Sequence, residues 1–315
     1  MLDAYQREIT YLRLSVTELC NLRCRYCMPA EGIKKCRHGD MMTEEETVLA
    51  VRAAASLGIN KLRVTGGEPL VKKNILSLVT NCAAVPGIRE VALTTNGTLL
   101  PPLAKPLLEA GVKRVNLSLD TLDPEKYVHI TRTGSLAEAL KGLECALETG
   151  FSRVKINAVL IGGFNDDEIG ALAALTEKYP VDMRFIELMP MVEGLPANAF
   201  LPCETVLEKL PELTPVPGDG GVAELYRLPG ALGNIGLIRP VSRSFCASCS
   251  RLRLTADGKV KPCLHSKEEF SLKGLDLEGM KEVLKRAILS KPAAHAPLSG
   301  DCMSEAGRLM HEIGG

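Results

Sequence analysis

The chain has 315 residues, of which 46% are hydrophobic and 24% charged, values typical of a globular protein with one large domain or one domain and an appendage. Its 38 basic residues equal its 38 acidic residues, so net charge gives no general attraction to nucleic acid or to anionic lipid. No apolar stretch reaches the roughly 20 residues of a membrane helix, and the first residues mix acids and bases where a secretory signal would be apolar. We therefore expect a cytoplasmic protein whose eleven cysteines include metal ligands rather than forming a disulfide framework.

Short β-branched runs alternate with segments of helical period over the first part of the chain. They predict strands at 11–17, 61–65, 90–95, 114–119, 154–160 and 182–187, with helices between them. Thr43 and Glu46 form a capping-box sequence at the start of the first helix. The alternation favours an α/β fold with a parallel sheet, and six units rather than eight predict an incomplete (βα)6 barrel with an open side.

Beyond Met189 this rhythm stops, and Pro and Gly become frequent. The change predicts two regions, a partial barrel at 1–190 and a smaller C-terminal region at 191–315 that has cysteines of its own. Asp257 and Gly258 are typical of a hairpin turn between two short strands of this region.

The first cysteine array follows the first predicted strand directly. Cys20, Cys24 and Cys27 have the spacing C-x3-C-x2-C. Three thiolates this close can ligate one 4Fe-4S cluster and leave one iron open. A zinc site with Cys36 as a fourth ligand is the alternative, although zinc usually takes paired C-x2-C ligands.

The second array lies in the C-terminal region. Two residues separate Cys246 from Cys249, and thirteen residues separate Cys249 from Cys263. The predicted hairpin would bring Cys263 back beside Cys249. On spacing alone, a second 4Fe-4S cluster and a zinc knuckle completed by His265 both remain open.

Polar residues stand at the carboxyl ends of successive predicted strands, which form the active face of parallel βα barrels. Paired glycines after the second strand allow a backbone to approach a ligand closely, and the glutamate that follows can accept from an ammonium group. Each such residue could be only a helix cap or a turn former, but five strand ends in succession favour a site. Arg13, Arg63 and Lys155 lie inside apolar strands, where a charge needs a partner or a ligand.

The first array resembles the signature of the radical S-adenosylmethionine (radical SAM) superfamily. The second array, followed by Arg251 and Arg253, resembles the GTP 3',8-cyclase family of molybdenum cofactor biosynthesis, and the likeness extends to Gly315. This resemblance implies two 4Fe-4S clusters, with S-adenosylmethionine on the open iron of the first and the guanine of GTP on the open iron of the second. It also implies a lyase reaction in which a 5'-deoxyadenosyl radical removes the hydrogen at C3' of GTP and C3' then attacks C8.

The resemblance assigns roles to the residues of the predicted site. The residues expected at S-adenosylmethionine are Tyr26, Gly66, Gly67, Glu68, Ser118, Asn157 and Met189. The residues expected at GTP are Arg13, Arg63, Thr94, Lys155, Arg184, Arg251 and Arg253. The terminal Gly314 and Gly315 are expected to return to the active site and assist catalysis.

The expected partners follow from the same resemblance. They are GTP, an electron donor of the flavodoxin or ferredoxin type, the cyclic pyranopterin monophosphate synthase of the next step, and a second copy of the chain in a homodimer, with no nucleic acid and no membrane. Two alternatives remain: a radical dehydrogenase acting on a peptide, and a zinc-stabilised interaction protein. Extensions of the first kind generally carry more cysteines than the three grouped here, and the second would bind zinc without iron.

Overall fold

The computed structural model describes residues 1–33, 38–192, 196, 198–299 and 302–314. Its strands are β1 (Tyr11–Ser15), β2 (Lys61–Thr65), β3 (Glu90–Thr95), β4 (Val112–Ser118), β5 (Arg153–Leu160), β6 (Val181–Glu187), β7 (Thr214–Pro215), β8 (Glu224–Arg227), β9 (Ile235–Ile238), β10 (Arg251–Leu254), β11 (Lys259–Lys261) and β12 (Phe270–Ser271). Its α-helices are α1 (Glu44–Ser56), α2 (Ile75–Ala83), α3 (Ala104–Glu109), α4 (Pro124–Thr131), α5 (Leu136–Thr149), α6 (Ile169–Ala173), α7 (Leu175–Lys178), α8 (Glu204–Lys209), α9 (Leu277–Leu289) and α10 (Met310–Ile313).

The strands of the described residues form one sheet in the order β12-β11-β10-β1-β2-β3-β4-β5-β6-β9-β8-β7. The six predicted strands are confirmed as β1 to β6, and each is parallel to the next. The C-terminal region extends this sheet at both edges, because β10 lies parallel to β1 and β9 lies parallel to β6. The residues beyond 190 therefore share a sheet with the first region, which the loss of the βα rhythm did not indicate.

The two faces of the parallel strands differ in polarity because side chains alternate along a strand. On one face, Leu12, Leu62 and Val115 belong to the main hydrophobic core under the helices. On the other face, Arg13 lies opposite Arg63 in register. The opposite face of an ordinary parallel barrel would be filled with apolar side chains, whereas here it is polar and lines the open side of the sheet.

Helices α1 and α9 contact one another over the same end of the sheet. The predicted capping box is confirmed: the Glu46 amide donates to the Thr43 hydroxyl at 3.1 Å, and the Thr43 amide donates to the Glu46 carboxylate at 2.9 Å. In α9, Met280 and Leu284 are buried in the main core. The C-terminal region thus contributes to the same core as the N-terminal strands.

The predicted hairpin between Cys249 and Cys263 is also confirmed. Strands β10 and β11 are antiparallel, and Gly258 in the turn has a φ of +81°, a conformation that favours glycine. In the part of the chain that the structure describes, no helix is both long enough and apolar enough to cross a membrane.

Candidate active site

The first cysteine set, Cys20, Cys24 and Cys27, lies in the loop after β1, and its three side chains are half-buried. The amide of Cys27 donates to the carbonyl of Cys24 at 2.9 Å, which forms a turn between these two cysteines. Burial and the neighbouring Cys27 and Cys20 thiols raise the pKa of Cys24. Burial and Cys20 raise the pKa of Cys27 to about 12. Thiols that raise one another's pKa in this way fit a polynuclear cluster, whose metal ions would compensate their negative charges.

Two buried carboxyl groups surround this first set. Burial raises the pKa of the Cys20 thiol to about 11, and the charge of Glu68 adds to the effect. Asp120 lies on the other side, where it accepts a hydrogen bond from the Tyr26 hydroxyl at 2.7 Å. Burial raises the pKa of Asp120 to about 6. The first set therefore has an acidic environment, with Tyr26 fixed at its edge.

Glu68 connects two strand ends. Its carboxylate is 1% exposed and accepts hydrogen bonds from the Thr95 hydroxyl at 2.8 Å, the Asn96 amide at 2.8 Å and the Leu70 amide at 3.0 Å. Burial raises its pKa to about 7 in spite of these bonds. The structure thus gives Glu68 the role of joining the loops after β2 and β3, in addition to its predicted place near a ligand.

Gly66 and Gly67 are needed where the loop after β2 passes the loop of the first cysteine set. A Cβ atom on Gly66 would lie 2.5 Å from the Thr17 carbonyl oxygen, and one on Gly67 would lie 2.4 Å from the Leu19 carbonyl oxygen. The group that approaches these glycines closely is the backbone that leads to Cys20. Any larger residue would push the cysteine loop away from the sheet.

The remaining residues predicted at S-adenosylmethionine lie near one another at the strand ends. Ser118 on β4 is opposite Asn157 on β5. The side-chain oxygen of Asn157 is buried without a hydrogen-bond partner, as is that of Asn116. Met189 packs against a hydrophobic cluster formed by Met191, Ala306 and Ile313. Buried polar atoms without partners in a polar groove are typical of a ligand-binding surface.

The centre of the polar face has a strong positive potential. Arg63 donates hydrogen bonds to the Tyr11 hydroxyl and, at 3.2 Å, to the Thr94 hydroxyl. Burial alone would raise the pKa of Tyr11, but the charges of Arg63 and Arg13 lower it to about 8. Burial and the charge of a neighbouring arginine lower the pKa of Arg253 to about 10. The predicted GTP residues on β1, β2, β3 and β10 therefore lie together on one face.

The cations on β5 and β6 converge on a carboxylate that we did not predict. Asp219 lies 2.9 Å from the Lys155 ammonium, 3.1 Å from the Arg153 guanidinium and 3.7 Å from that of Arg184. Burial opposes ionisation, but Lys155 and Arg184 lower the pKa of Asp219 to about 2. Asp219, beside the strand residue Asp182, thus occupies a place where three cations could bind a polyphosphate.

The second cysteine set, Cys246, Cys249 and Cys263, lies beside the β10–β11 hairpin, and its side chains are half-buried. Burial opposes ionisation, but a hydrogen bond with His295 lowers the pKa of Cys246 to about 7. In the same way, the charge of Lys291 outweighs burial and lowers the pKa of Cys249. The environment of the second set is therefore basic.

Lys291 and two histidines complete this environment. Lys291 is 3% exposed and donates to the carbonyls of Pro262, at 2.7 Å, and Arg251, at 3.0 Å. The His265 and His295 rings are 4.6 Å apart, and His265 Nδ1 is 2.8 Å from the hydroxyl of Ser304. A zinc knuckle would require four side chains to meet at one ion. Among the described residues, no three His, Cys, Asp or Glu side chains are arranged around one metal position, and this holds for both cysteine sets alike.

The C-terminal tail returns to the polar face. The Gly314 carbonyl accepts hydrogen bonds from Arg253 at 2.9 Å and from Arg13 at 3.3 Å. Gly314 has a φ of +70°, and a Cβ atom there would lie 2.8 Å from Thr65 Cγ2. Only glycine suits both the conformation and the space. Gly315 lies outside the described residues.

Further contacts hold the tail in place. His311 is buried, and its Nδ1 lies 3.1 Å from the carbonyl oxygen of Cys27. Arg308 bonds to Asp257 at 2.8 Å and to Glu269 at 2.7 Å. The tail therefore connects the hairpin beside the second cysteine set to Cys27 of the first set.

Comparison with known proteins agrees with this architecture. Residues 14–176 match the Radical SAM superfamily, and residues 181–297 match the family described as Molybdenum Cofactor Synthesis C. The chain is 48% identical over 321 residues to the GTP 3',8-cyclase of Alkaliphilus metalliredigens, with all of both chains covered. It is likewise 48% identical over 328 residues to that of Pelotomaculum thermopropionicum, again with full coverage of both. The chain belongs to the GTP 3',8-cyclase family.

Membership in the radical SAM superfamily implies a 4Fe-4S cluster and S-adenosylmethionine. Streptococcus suis SuiB bound to its precursor peptide SuiA is similar in structure, with a TM-score of 0.65 at 15% identity over 91% of this chain and 66% of that chain. SuiB bound to S-adenosylmethionine gives a TM-score of 0.63 at 15% identity over 87% and 64% of the two chains. These likenesses confirm the predicted fold.

Proposed function

We propose that this member of the family converts GTP to (8S)-3',8-cyclo-7,8-dihydroguanosine 5'-triphosphate, the first step of molybdenum cofactor biosynthesis. The observation that carries this proposal is a single polar face with a three-thiol set at each end. The first set has an acidic environment and the second a basic one. Two ligands of opposite charge fit this arrangement.

The acidic end suits S-adenosylmethionine, which carries a sulfonium and an ammonium group. Cys20, Cys24 and Cys27 would hold the cluster that binds it. Glu68 and Asp120 place negative charge nearby, and ionised carboxylates favour a cationic ligand. The unpaired oxygen of Asn157 offers a further acceptor. Tyr26, Ser118 and Met189 border the same space and retain their predicted roles.

The basic end suits GTP. Cys246, Cys249 and Cys263 would hold a second 4Fe-4S cluster, with one iron free for the guanine. The seven predicted polar residues form the surface between the ends, and guanidinium groups bind phosphate oxygens through paired hydrogen bonds. Those residues are Arg13, Arg63, Thr94, Lys155, Arg184, Arg251 and Arg253.

The protein chain itself would position the two ligands and enclose them. Cys20, Cys24 and Cys27 would hold the first cluster, and that cluster with bound S-adenosylmethionine would supply radical chemistry at C3' of GTP. The strand ends hold the two ligands in line, and proximity of this kind lowers the barrier strongly. The tail covers the face through Gly314 and His311, which excludes water from a reactive intermediate.

We further propose that the protein acts in the cytoplasm with a flavodoxin-type or ferredoxin-type electron donor. A homodimer and transfer of the product to the cyclic pyranopterin monophosphate synthase belong to the same proposal. The reducing compartment agrees with the ten free cysteines among the described residues.

The test is anaerobic reconstitution with iron and sulfide. We expect about eight irons per chain in the wild type and about four after Cys246, Cys249 and Cys263 are all changed to alanine, since each cubane holds four. GTP-dependent formation of 5'-deoxyadenosine should be lost in the triple variant. Cys302→Ala, at an exposed cysteine outside both sets, is the control and should retain both properties.

Three results would contradict the proposal. About four irons per chain in both the wild type and the triple variant would show that there is no second cluster. Formation of 5'-deoxyadenosine that does not respond to GTP would leave a radical enzyme with another substrate, such as a peptide. Binding of zinc without iron by the wild type would exclude a radical mechanism.

A further inference from the structure

Asp219 lies at the centre of a group of ion pairs on the polar face. Its Oδ2 atom pairs with Lys155 at 2.9 Å and Arg153 at 3.1 Å, and it lies 3.7 Å from the Arg184 guanidinium. Lys155 and Arg184 are 3% and 9% exposed. Both are cations that we assign to the triphosphate of the nucleotide. One internal carboxylate therefore stands where a ligand phosphate would stand.

The backbone around Asp219 has features that make a rearrangement easy. Gly218 and Gly220 flank Asp219, and a Cβ atom on either glycine would meet no atom within 4 Å. Gly220 also has a φ of +73°, which favours glycine. The other Asp219 oxygen is held only by the nearby Gly221 amide, at 3.0 Å. Glycine-rich backbone in open space costs little to rearrange.

Asp182 provides a contrast within the same group. Its carboxylate lies 3.0 Å from Arg153 and 3.3 Å from Lys155. However, Asp182 belongs to β6 and accepts a further bond from Asn234 at 3.1 Å. A carboxylate fixed in a central strand cannot leave, whereas one in a glycine-flanked loop can.

Buried cations need an anion whenever the ligand is absent, because an unpaired buried charge is strongly destabilising. A carboxylate supplies one negative charge, whereas a triphosphate supplies more charge and more acceptor oxygens to the same donors. We propose that Asp219 occupies the triphosphate subsite in the substrate-free protein and is displaced when a polyphosphate binds. The proposal rests on the proposed function for the identity of the nucleotide, but the displacement itself requires only the polyphosphate.

The displacement has a measurable consequence for affinity. If Asp219 fills the subsite in most molecules, the apparent dissociation constant of a polyphosphate equals the intrinsic constant divided by the fraction of molecules whose subsite is open. Asp219→Asn removes the competing charge while it keeps the shape of the side chain. We expect the variant to bind inorganic tripolyphosphate about tenfold more tightly, which corresponds to removal of about one ion pair of this kind.

The experiment uses the full chain with reconstituted clusters and inorganic tripolyphosphate in magnesium-free buffer. Calorimetry gives the affinity, and hydrogen–deuterium exchange follows the amides of residues 216–222. In the wild type, tripolyphosphate should speed exchange in this segment because Asp219 is released. In Asp219→Asn, exchange should be fast from the start and change little. Asp167→Asn, at an exposed aspartate paired with Lys126, is the matched control and should behave as the wild type.

Three results would overturn the proposal: unchanged or slower exchange when tripolyphosphate binds to the wild type, weaker binding by Asp219→Asn, and no binding of tripolyphosphate by either protein. Tripolyphosphate has neither guanine nor ribose, so these measurements do not depend on cyclisation. Release of Asp219 without GTP turnover would refute the proposed function alone, and turnover without release would refute this proposal alone.

Discussion

The two cysteine sets contain the same number of thiols but differ in their surroundings. Burial, the other thiols and nearby carboxyl groups raise the pKa values of the first set, so that of Cys27 reaches about 12. In the second set, His295 outweighs burial and lowers the pKa of Cys246 to about 7. The first set thus has acidic surroundings and the second basic ones.

Under the proposed function, this difference would let one groove keep two charged ligands apart. Lys291 and Arg251 would repel a cationic ligand from the second set, and Glu68 would repel an anionic ligand from the first. Placing the wrong charge at either end carries an electrostatic cost. Thiol spacing makes both ends competent for a cluster, and the residues from other parts of the chain decide which partner each accepts.

The largest expected effect is a difference in alkylation rate between the thiols of the two sets. In the cluster-free, reduced protein at pH 7, we expect Cys246 to react with iodoacetamide roughly 100-fold faster than Cys27, since more thiolate outweighs its lower intrinsic reactivity. Mass spectrometry of the alkylated peptides at timed intervals measures both rates. Equal rates for the two residues would remove the contrast between the sets.

A second experiment addresses the acidic end. The pKa of Glu68 is raised from 4.5 to about 7, mainly by burial. Its contribution to stability is therefore fully present below the unfolded pKa and is lost as pH rises through about 7. We expect the unfolding free energy of the wild type to fall by about 2 kcal/mol more than that of Glu68→Gln between pH 4.5 and 8. Urea titrations of the cluster-free proteins at several pH values measure this, and parallel pH profiles would show that Glu68 is not perturbed.

A third experiment changes the basic end. His295→Gln removes the main group that lowers the pKa of Cys246. We expect alkylation of Cys246 at pH 7 to slow about tenfold in this variant. Cys249 is the internal control, because its pKa depends on Lys291 rather than on His295. Equal slowing of both thiols would indicate a general loss of structure.

Several parts of the site were predictable because they depend on local sequence. The spacing of Cys20, Cys24 and Cys27 places three thiols in one loop. The turn at Asp257 and Gly258 returns Cys263 towards Cys249, as the hairpin now shows. Short β-branched runs placed Arg13 and Arg63 on strands β1 and β2, and the register puts them side by side.

Other parts depended on chain segments that are distant in sequence. Asp219 lies in a loop without periodicity, and its partners Lys155 and Arg184 lie on two different strands. Lys291 and His295 follow α9, which packs against α1 and β11, and they reach the second set from a distant part of the chain. No spacing rule links such residues to a site.

The sequence by itself determined the α/β class, the six central strands, the two thiol arrays and the cations within strands, because each follows from spacing or alternation along the chain. Tertiary structure alone decided that the C-terminal region extends the sheet at both edges, and that Gly314 lies between Arg13 and Arg253. It also decided the sign of the charge around each cysteine set. Electrostatic environment depends on distance in space, and burial magnifies it, so residues far apart in the chain control the chemistry of each thiol.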